Sequence, residues 1–331
     1  MSLLEPIRYV LAVLESVVVF VGALFSTGQL TMPGDYLTQL NRMGIFENRA
    51  QESLPQTDIY DIILAHFENP EEGKAPKCLL VGYDGARADA LQRTVLPGIW
   101  MDVSESGVRA LLDGGGAVYN MYTGGPLLNP FLWQDTSTAP GWTTMLTGCW
   151  AKEKGEGGHG VSANGINKPA EPKLIFTQLL EAELLEQTAL VVSWGGHFVS
   201  EGASYKNDIA YCLEEDLNAK WVTLGSDALV FERTLAEVRE PGAGMVMCIL
   251  EYCDSAGHGT GFGLQNPDYQ QAIIDSERDG YRLIQAVMAR DTYDQEDWLI
   301  LITSDHGGAF TGHGQQFAAM RQVFLATNKP L

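Results

Sequence analysis

Six acidic and histidine side chains follow apolar, strand-like segments in three separate parts of the sequence. They are Asp84 after CLLVGY, Asp254 and His258 after MVMCILEYC, and Asp305, His306 and His313 after LILITS. Ligands of open α/β sheets bind beyond the carboxyl ends of the strands, so we expect these side chains to converge. Three carboxylates and three imidazoles make a ligand set suited to two zinc-like ions.

One threonine, Thr138, is a candidate nucleophile for phosphoryl transfer. Thr138 lies in DTSTAPGWTTMLTG, residues 135–148, where hydroxyls precede a Pro-Gly break and a short helix-compatible run. Unpaired N–H groups and the dipole at a helix N-terminus favour an anion such as a phosphate group. A threonine hydroxyl is nearly inert at neutral pH, so Thr138 can be a nucleophile only beside a metal ion. Two divalent ions about 4 Å apart can hold a phosphoryl group.

Each of these residues also has a structural interpretation when taken alone. Ser and Thr before a helix are common N-caps, and an Asp at the end of a strand often caps the next helix. A lone histidine is more often a hydrogen-bonded core residue than a ligand. All six ligand candidates, in this order with Thr138, favour the metal site.

The order of the motifs along the chain is more specific than any single motif. The set comprises Asp84, the Thr138 stretch ending in LTG, His159-Gly160 with Asn164, Asp254-x-x-x-His258, Ser304-Asp305-His306-Gly307 and His313-Gly314. This set resembles the alkaline phosphatase superfamily, with its closest likeness to the type I phosphodiesterase/nucleotide pyrophosphatase branch. The resemblance covers roughly residues 77–331.

The resemblance implies a ligand assignment and a mechanism. One metal ion would be held by Asp254, His258 and His313, and the other by Asp84, Asp305 and His306, with Thr138 bridging to the second. Thr138 would attack phosphorus and form a phospho-enzyme that water releases, while Asn164 and the Thr138 N–H contact a phosphoryl oxygen. His159 is expected to be structural. Zinc is the expected metal, and manganese or iron would fit the same ligands.

Departures from the pattern concern the substrate. Nucleotide pyrophosphatases usually carry Phe-Pro-Asn after the nucleophile, whereas this chain has Ala139-Pro140-Gly141-Trp142 and lacks that aromatic residue. Roughly ninety residues separate Asn164 from Asp254, which leaves room only for a small cap-like insertion within 195–225. Trp133, Trp142 and Trp150 could line the pocket, although packing is the favoured role for each.

The favoured function is therefore a metal-dependent phosphodiesterase of the nucleotide pyrophosphatase type. A phosphomonoesterase, a phosphonate hydrolase and a phosphoryl transferase are alternatives on the same centre. A monoesterase would need added positive charge, for which Lys152 and Lys154 are candidates. The alternative from a different class is a non-catalytic relative whose metals only stabilise the fold.

The elements that must position these residues alternate along the chain. We predict strands at 77–83, 116–122, 189–194, 245–253 and 298–303 with a final apolar run at 323–327, and helices at 88–95, 104–113, after Thr138, at 173–186, 226–238 and 268–290. Alternation of this kind predicts an α/β fold: an alkaline-phosphatase-like three-layer sandwich with a mostly parallel sheet and helices on both faces. Residues 76–331 form the predicted catalytic domain, and 1–75 a helical arm.

Composition limits the partners. The chain has 331 residues with 21 basic and 42 acidic side chains, a net charge of −21. Such a chain repels nucleic-acid polymers and anionic lipid, but bound divalent ions would still admit a small phosphate ester. The five cysteines form no CxxC pair, which favours reduced core residues and a cytoplasmic protein.

The N-terminal segment 3–25 allows three interpretations. Its apolar side chains at 4, 7, 11, 14, 18, 21 and 25 form a helical stripe. The favoured interpretation is a packed core or homodimer helix. A membrane anchor through residues 9–25 is interrupted by Glu15, and a signal peptide lacks a clear basic start and cleavage site. Membrane anchoring or export thus remains an alternative to the cytoplasm.

Overall fold

The computed structural model describes residues 53–127, 129–153, 157–165, 173–198 and 203–331. The predictions for the apolar segment 3–25 and for Lys154 lie outside these residues. Within them, no helix combines the length and apolar character needed to cross a membrane.

One sheet organises the described part of the chain. Its strands are β1 (Leu54–Pro55), β2 (Ala75–Tyr83), β3 (Ala117–Tyr122), β4 (Thr188–Val192), β5 (Ala219–Thr223), β6 (Met245–Leu250), β7 (Glu296–Thr303) and β8 (Gln322–Thr327). Their spatial order is β1-β3-β8-β7-β2-β6-β4-β5. β8 runs antiparallel to both of its neighbours, and the other neighbouring pairs are parallel. The prediction of a mostly parallel sheet is confirmed.

Helices cover both faces of this sheet. They are α1 (Asp58–Glu68), α2 (Ala88–Thr94), α3 (Gly107–Asp113), α4 (Thr138–Thr147), α5 (Ile175–Glu181), α6 (Lys206–Glu214), α7 (Asp227–Arg239), α8 (Tyr252–Thr260), α9 (Pro267–Met288) and α10 (Ala318–Arg321). Successive strand side chains point to opposite faces. In β2, Leu79 and Val81 therefore pack with α2, α3, α7 and α9, whereas Cys78 and Leu80 pack with α1, α4 and α5. The three-layer sandwich is confirmed.

The three central strands explain why the sequence shows continuous apolar runs. β7, β2 and β6 lie side by side with helices on both faces, so neither face of these strands can be polar. Their register aligns Gly82 with Thr303 and Tyr83 with Leu250. The residues that follow these strands consequently meet at one edge of the sheet.

Several elements differ from the sequence prediction. β6 ends at Leu250, and the residues predicted to extend it begin α8 instead. α6 and β5 were not predicted, because both are half exposed and mix polar with apolar residues without a clear period. β8 was recognised only as an apolar run, and its place between β3 and β7 follows from long-range pairing.

The structure describes parts of two predicted domain features, the N-terminal arm and the cap-like insertion. The described part of the predicted arm packs on the sheet: β1 pairs with β3, and Ile59, Ile63 and Phe67 of α1 join the core. Within 195–225, the described residues include α6 and the edge strand β5.

Candidate metal centre

The three central strands deliver the predicted ligands to one edge of the sheet. Asp84 directly follows β2, and the pair Asp305 and His306 follows β7 after a single serine. Asp254 and His258 lie on α8, which begins just beyond β6. Their spacing of four residues places both on one face of the helix, 3.4 Å apart between Oδ2 and Nε2.

The first group of ligand atoms surrounds Asp254. Nε2 of His258 lies 3.0 Å from Nε2 of His313, and Nε2 of His313 lies 3.6 Å from Oδ1 of Asp254. Asp254 is buried, while the His258 side chain is 47% exposed. This group therefore forms the solvent-facing side of the centre.

The second group is fully buried. Nε2 of His306 lies 3.5 Å from Oδ1 of Asp84 and 3.4 Å from Oδ2 of Asp305. The indole N–H of Trp142 donates to Oδ2 of Asp84 at 2.9 Å, and the Gly85 N–H donates to Oδ1 of Asp305 at 3.2 Å. These donors hold the two carboxylates while leaving one oxygen of each toward His306.

The two groups are contiguous. Ligand atoms of Asp254, His306 and His313 lie within 4.8 Å of one another, as do those of Asp84, Asp305 and His306. The structure thus brings together the six residues that the sequence predicts as ligands.

All three imidazoles are oriented in the same way. Nδ1 lies 3.0 Å from the Thr311 carbonyl in His258, 3.1 Å from the Thr136 carbonyl in His313, and 2.9 Å from the Gly307 carbonyl in His306. A carbonyl only accepts hydrogen bonds, so Nδ1 carries the proton and Nε2 presents a lone pair. In His258 and His313 those lone pairs face each other, an arrangement that a cation stabilises. Ligand histidines in metalloproteins are fixed in this manner.

Several buried atoms in the centre have no hydrogen-bond partner in the described part of the chain. Among the six predicted ligands they are Oδ1 of Asp254, Oδ2 of Asp305 and Nε2 of His306. Buried polar atoms are ordinarily paired, since leaving one unpaired costs free energy. Three orphaned acceptors at one point fit divalent cations, and the donor set of carboxylates and imidazoles suits zinc-like ions.

The pKa shifts of the ligand side chains also indicate a site for a cation. Burial raises the pKa of Asp84 well above its usual range, and the neighbouring charge of Asp305 adds to this. Burial raises the pKa of Asp254 to about 6, with His258 opposing. Burial, reinforced by His258, lowers the pKa of His313 to about 4. The lowered pKa keeps the imidazole in its neutral, ligand form, whereas the carboxylates need a nearby cation to ionise at neutral pH.

Thr138 is the first helical residue of α4, and Ser137 precedes it in an extended conformation. The Thr138 hydroxyl donates to Oδ1 of Asp84 at 3.4 Å. The hydroxyl therefore faces the buried group instead of capping the helix. Gly141 allows α4 to come this close, because a Cβ at this position would lie 2.8 Å from Cβ of Asp305.

Asn164 lies at the same helix end. Its Oδ1 accepts a hydrogen bond from the Ala139 N–H at 2.7 Å, which caps α4. With the oxygen fixed on a donor, the amide orientation is assigned and the Nδ2 group remains as a donor. Asn164 is exposed, so that donor is accessible to a bound molecule.

Glu251 belongs to the centre and was not predicted. Its ligand atom lies within 4.8 Å of those of Asp84 and Asp254, and its Oε1 has no hydrogen-bond partner among the described residues. Burial raises the pKa of Glu251 to about 8, and Asp254 contributes to the shift. The signal was present: Glu251 is the first charged residue after β6, as Asp84 is after β2.

Other candidates lie away from the ligands. His159 is buried between the Thr144 hydroxyl and the Val161 N–H, in keeping with the structural role predicted for it. Lys152 is exposed. Burial raises the pKa of Asp135, and the positive charge of Lys152 opposes that shift.

The three tryptophans are all held by the protein. Trp142 is buried and bonds to Asp84, while Trp150 is buried and stacks on Tyr122. Trp133 donates to the Pro126 carbonyl. All three serve packing and orientation in the described structure.

The sequence matches no protein-family model and no curated protein. Solved structures do match. The C-terminal periplasmic domain of EcEptC from Escherichia coli, in complex with Zn, is 9% identical, with 78% of this chain and 73% of that domain covered and a TM-score of 0.43. Alkaline phosphatase from the Antarctic bacterium TAB5 is 12% identical, with 77% and 92% covered and a TM-score of 0.44.

A third match is murine ectonucleotide pyrophosphatase/phosphodiesterase 5, 17% identical, with a TM-score of 0.44 and 70% of this chain covered. The chain spans 57% of that protein's length. At identities of 9% to 17%, these likenesses concern the fold alone.

Proposed function

We propose that this chain is a metal-dependent hydrolase of phosphate esters that uses Thr138 as its nucleophile, with phosphodiesters as the favoured substrates. One observation carries the proposal. Three Nε2 atoms, each fixed by a carbonyl on Nδ1, converge with three buried carboxylates beside the Thr138 hydroxyl.

Two divalent ions fit the donor set. Asp254, His258 and His313 would hold one, and Asp84, Asp305 and His306 the other, with Thr138 adjacent to the second. When bound, the ions supply the positive charge that activates a hydroxyl nucleophile and neutralises a phosphoryl group. Zinc is the first choice because half of these protein ligands are imidazoles, and manganese or iron would fit as well.

Residues of the chain account for the rest of the reaction. The hydrogen bond to Asp84 orients the Thr138 hydroxyl, whose Oγ1 forms a bond to phosphorus while the bond to the leaving ester oxygen breaks. Water then attacks the phosphothreonine and releases Thr138. The N–H of Thr138 at the start of α4 and the Nδ2 group of Asn164 donate to the phosphoryl oxygens as negative charge develops.

The charge of the site favours diesters over monoesters. Asp84, Asp254, Asp305 and Glu251 together would balance two divalent ions. A diester adds one negative charge, whereas a monoester adds up to two near neutral pH. Among the described residues, no Lys or Arg forms an ion pair with the three aspartates of the centre. A phosphomonoesterase, phosphonate hydrolase or phosphoryl transferase would use the same centre with a different balance of charge.

We take the substrate to be a small molecule. The net charge of −21 repels a nucleic-acid polymer over a broad surface. A small ester needs only the local positive charge of bound ions.

The test compares kcat/KM for bis(4-nitrophenyl) phosphate with kcat/KM for 4-nitrophenyl phosphate, using zinc-loaded protein and an EDTA-treated control. A ratio well above one that EDTA abolishes supports the diesterase. A ratio well below one assigns the centre to monoesters. Absence of metal-dependent turnover on both, in protein shown to bind zinc, contradicts the hydrolase and supports a non-catalytic metal-binding protein.

A further inference from the structure

An exposed aromatic side chain lies on the turn that follows the Asp305–His306 pair. Phe310 is 78% exposed, and its φ of +54° lies in the left-handed region that favours glycine. Two backbone hydrogen bonds between Ala309 and Gly312, of 3.0 and 3.1 Å, close the turn around it. A bulky residue in this conformation is strained, and such strain concentrates at functional sites.

The turn is fixed to the metal centre from two sides. The Phe262 N–H donates to the Phe310 carbonyl at 2.7 Å, and Nδ1 of His258 donates to the Thr311 carbonyl at 3.0 Å. The buried ring of Phe262 in turn packs edge-on against His258 and His313, with centroids 5.7 and 6.4 Å apart. The position of Phe310 is thus coupled to the histidines of the solvent-facing group.

This side of the centre is where a leaving group would lie. Thr138 is 3.4 Å from Asp84 and so attacks from the buried group. In an in-line displacement the leaving oxygen lies opposite the nucleophile, on the side away from Asp84. That places it at the group formed by Asp254, His258 and His313. The half-exposed side chain of His258 belongs to this group, and its Nδ1 donates to Thr311 in the Phe310 turn.

We propose that Phe310 contacts the leaving group and selects phosphate esters whose leaving alcohol carries an aromatic or similarly planar apolar group. This inference rests on the proposed function of the centre and specifies its substrate class. Contact with an aromatic group explains why a strained, exposed phenylalanine stands where glycine would be relaxed.

The experiment compares two diesters with the same retained group, methyl 4-nitrophenyl phosphate and methyl 2,2,2-trifluoroethyl phosphate, on zinc-loaded protein. For each ester, the kcat/KM of a variant is divided by that of the wild type, so that intrinsic reactivity cancels. We expect Phe310→Ala to lower kcat/KM for the 4-nitrophenyl ester about three- to ten-fold more than kcat/KM for the trifluoroethyl ester. Phe310→Tyr should keep the wild-type preference. Leu213→Ala, which removes an equally exposed side chain on α6, should change neither value.

Phe310→Gly separates the ring from the backbone. It should lose the aryl preference as Phe310→Ala does, yet unfold at a higher temperature than Phe310→Ala because glycine relaxes at this φ. Equal losses on both esters, or no loss, would overturn the inference and leave the turn with a structural role. A changed oligomeric state in size-exclusion chromatography with an unchanged ester preference would overturn it in favour of a contact between two copies.

Equilibrium binding distinguishes this inference from the proposed function. Calorimetry gives the ratio of dissociation constants for methylphosphonate and phenylphosphonate on zinc-loaded protein, with no turnover required. A preference for phenylphosphonate that Phe310→Ala removes supports the aromatic contact even if no ester is hydrolysed, a result that would sink only the hydrolase. Turnover of both esters with no preference for the phenyl group in binding or kinetics would contradict only the proposed contact of Phe310 with the leaving group.

Discussion

The hydroxyl oxygen of Thr138 lies 3.4 Å from Oδ1 of Asp84, although 54 residues separate them in the sequence. Asp84 directly follows the central strand β2, and Thr138 begins α4 on one face of the sheet. The close approach of Gly141 to Asp305 and the bond from Trp142 to Asp84 hold this helix end in place. Thr138 and the proposed ligands Asp84 and Asp305 are thus held together by contacts of α4.

Removing the nucleophile should abolish turnover without disturbing the ligands. We expect Thr138→Ala to lower kcat by about a thousand-fold or more, and Thr138→Ser to keep part of the activity, because serine offers the same oxygen. Zinc content, measured by atomic absorption, should stay at the wild-type level. Thr147→Ala, at the other end of α4, serves as the control. Near-wild-type turnover in Thr138→Ala would exclude Thr138 as the nucleophile.

Loss of one imidazole should weaken metal binding and the stabilisation that metal confers. His313→Ala should reduce zinc affinity by more than the roughly 10- to 100-fold that loss of an outer partner costs. Zinc at about 100 times its dissociation constant should stabilise the wild type by about 2.7 kcal/mol and the variant far less. Chelator-competition titrations and thermal unfolding measure both effects. Thr260→Ala, on the α8 helix that carries His258, is the control, and equal zinc stabilisation of wild type and His313→Ala would contradict the assignment.

Two substitutions at Asn164 separate its cap from its donor. Asn164→Asp keeps an oxygen for the Ala139 N–H but removes the Nδ2 donor, so stability should change little while kcat/KM falls about 100-fold. Asn164→Ala removes both functions and should also cost about 1 kcal/mol of unfolding free energy. Urea unfolding and steady-state kinetics give the two readouts. If Asn164→Asp retains full activity, Asn164 acts only as a helix cap.

Stability should fall with rising pH because of a buried carboxyl remote from the centre. Burial raises the pKa of Glu277 to about 7 from 4.5, opposed by hydrogen bonds from the Ser106 hydroxyl and the Val108 N–H. Since the folded-state pKa is the higher one, the stabilising contribution is complete below pH 4.5 and is lost as pH rises through about 7. The loss amounts to about 3 kcal/mol.

Glu277→Gln removes this titration and should show no such fall. The measurement is the difference in unfolding free energy between wild type and variant at pH 5 and pH 8. From pH 5 to pH 8, the unfolding free energy of the wild type should fall relative to that of Glu277→Gln. Parallel pH profiles for the two proteins would mean that Glu277 ionises in the folded state much as it does in the unfolded chain.

Much of the site could be predicted because it is locally encoded. Continuous apolar runs that stop at a charged residue mark buried parallel strands, and such strands present their ends to a common edge. That reasoning locates Asp84, Asp254 and Asp305 at one edge, and the four-residue spacing places His258 with Asp254. The alternation of runs with amphipathic segments likewise predicts the sandwich. Glu251 follows the same rule, but the apolar run predicts a strand that extends to residue 253 and so encloses Glu251.

The sequence by itself determined the residue types, their order and the layered α/β architecture, since these depend on periodicity and on polar residues at the ends of apolar runs. Only the tertiary structure decided that β7, β2 and β6 are neighbours, that β8 runs antiparallel between β3 and β7, and that Asn164 caps α4. It alone revealed the left-handed conformation of Phe310 and the contact of His258 with the carbonyl of the next residue, Thr311. Strand order, register and such caps arise from contacts between residues distant in sequence, and their free energies depend on packing that no local pattern records.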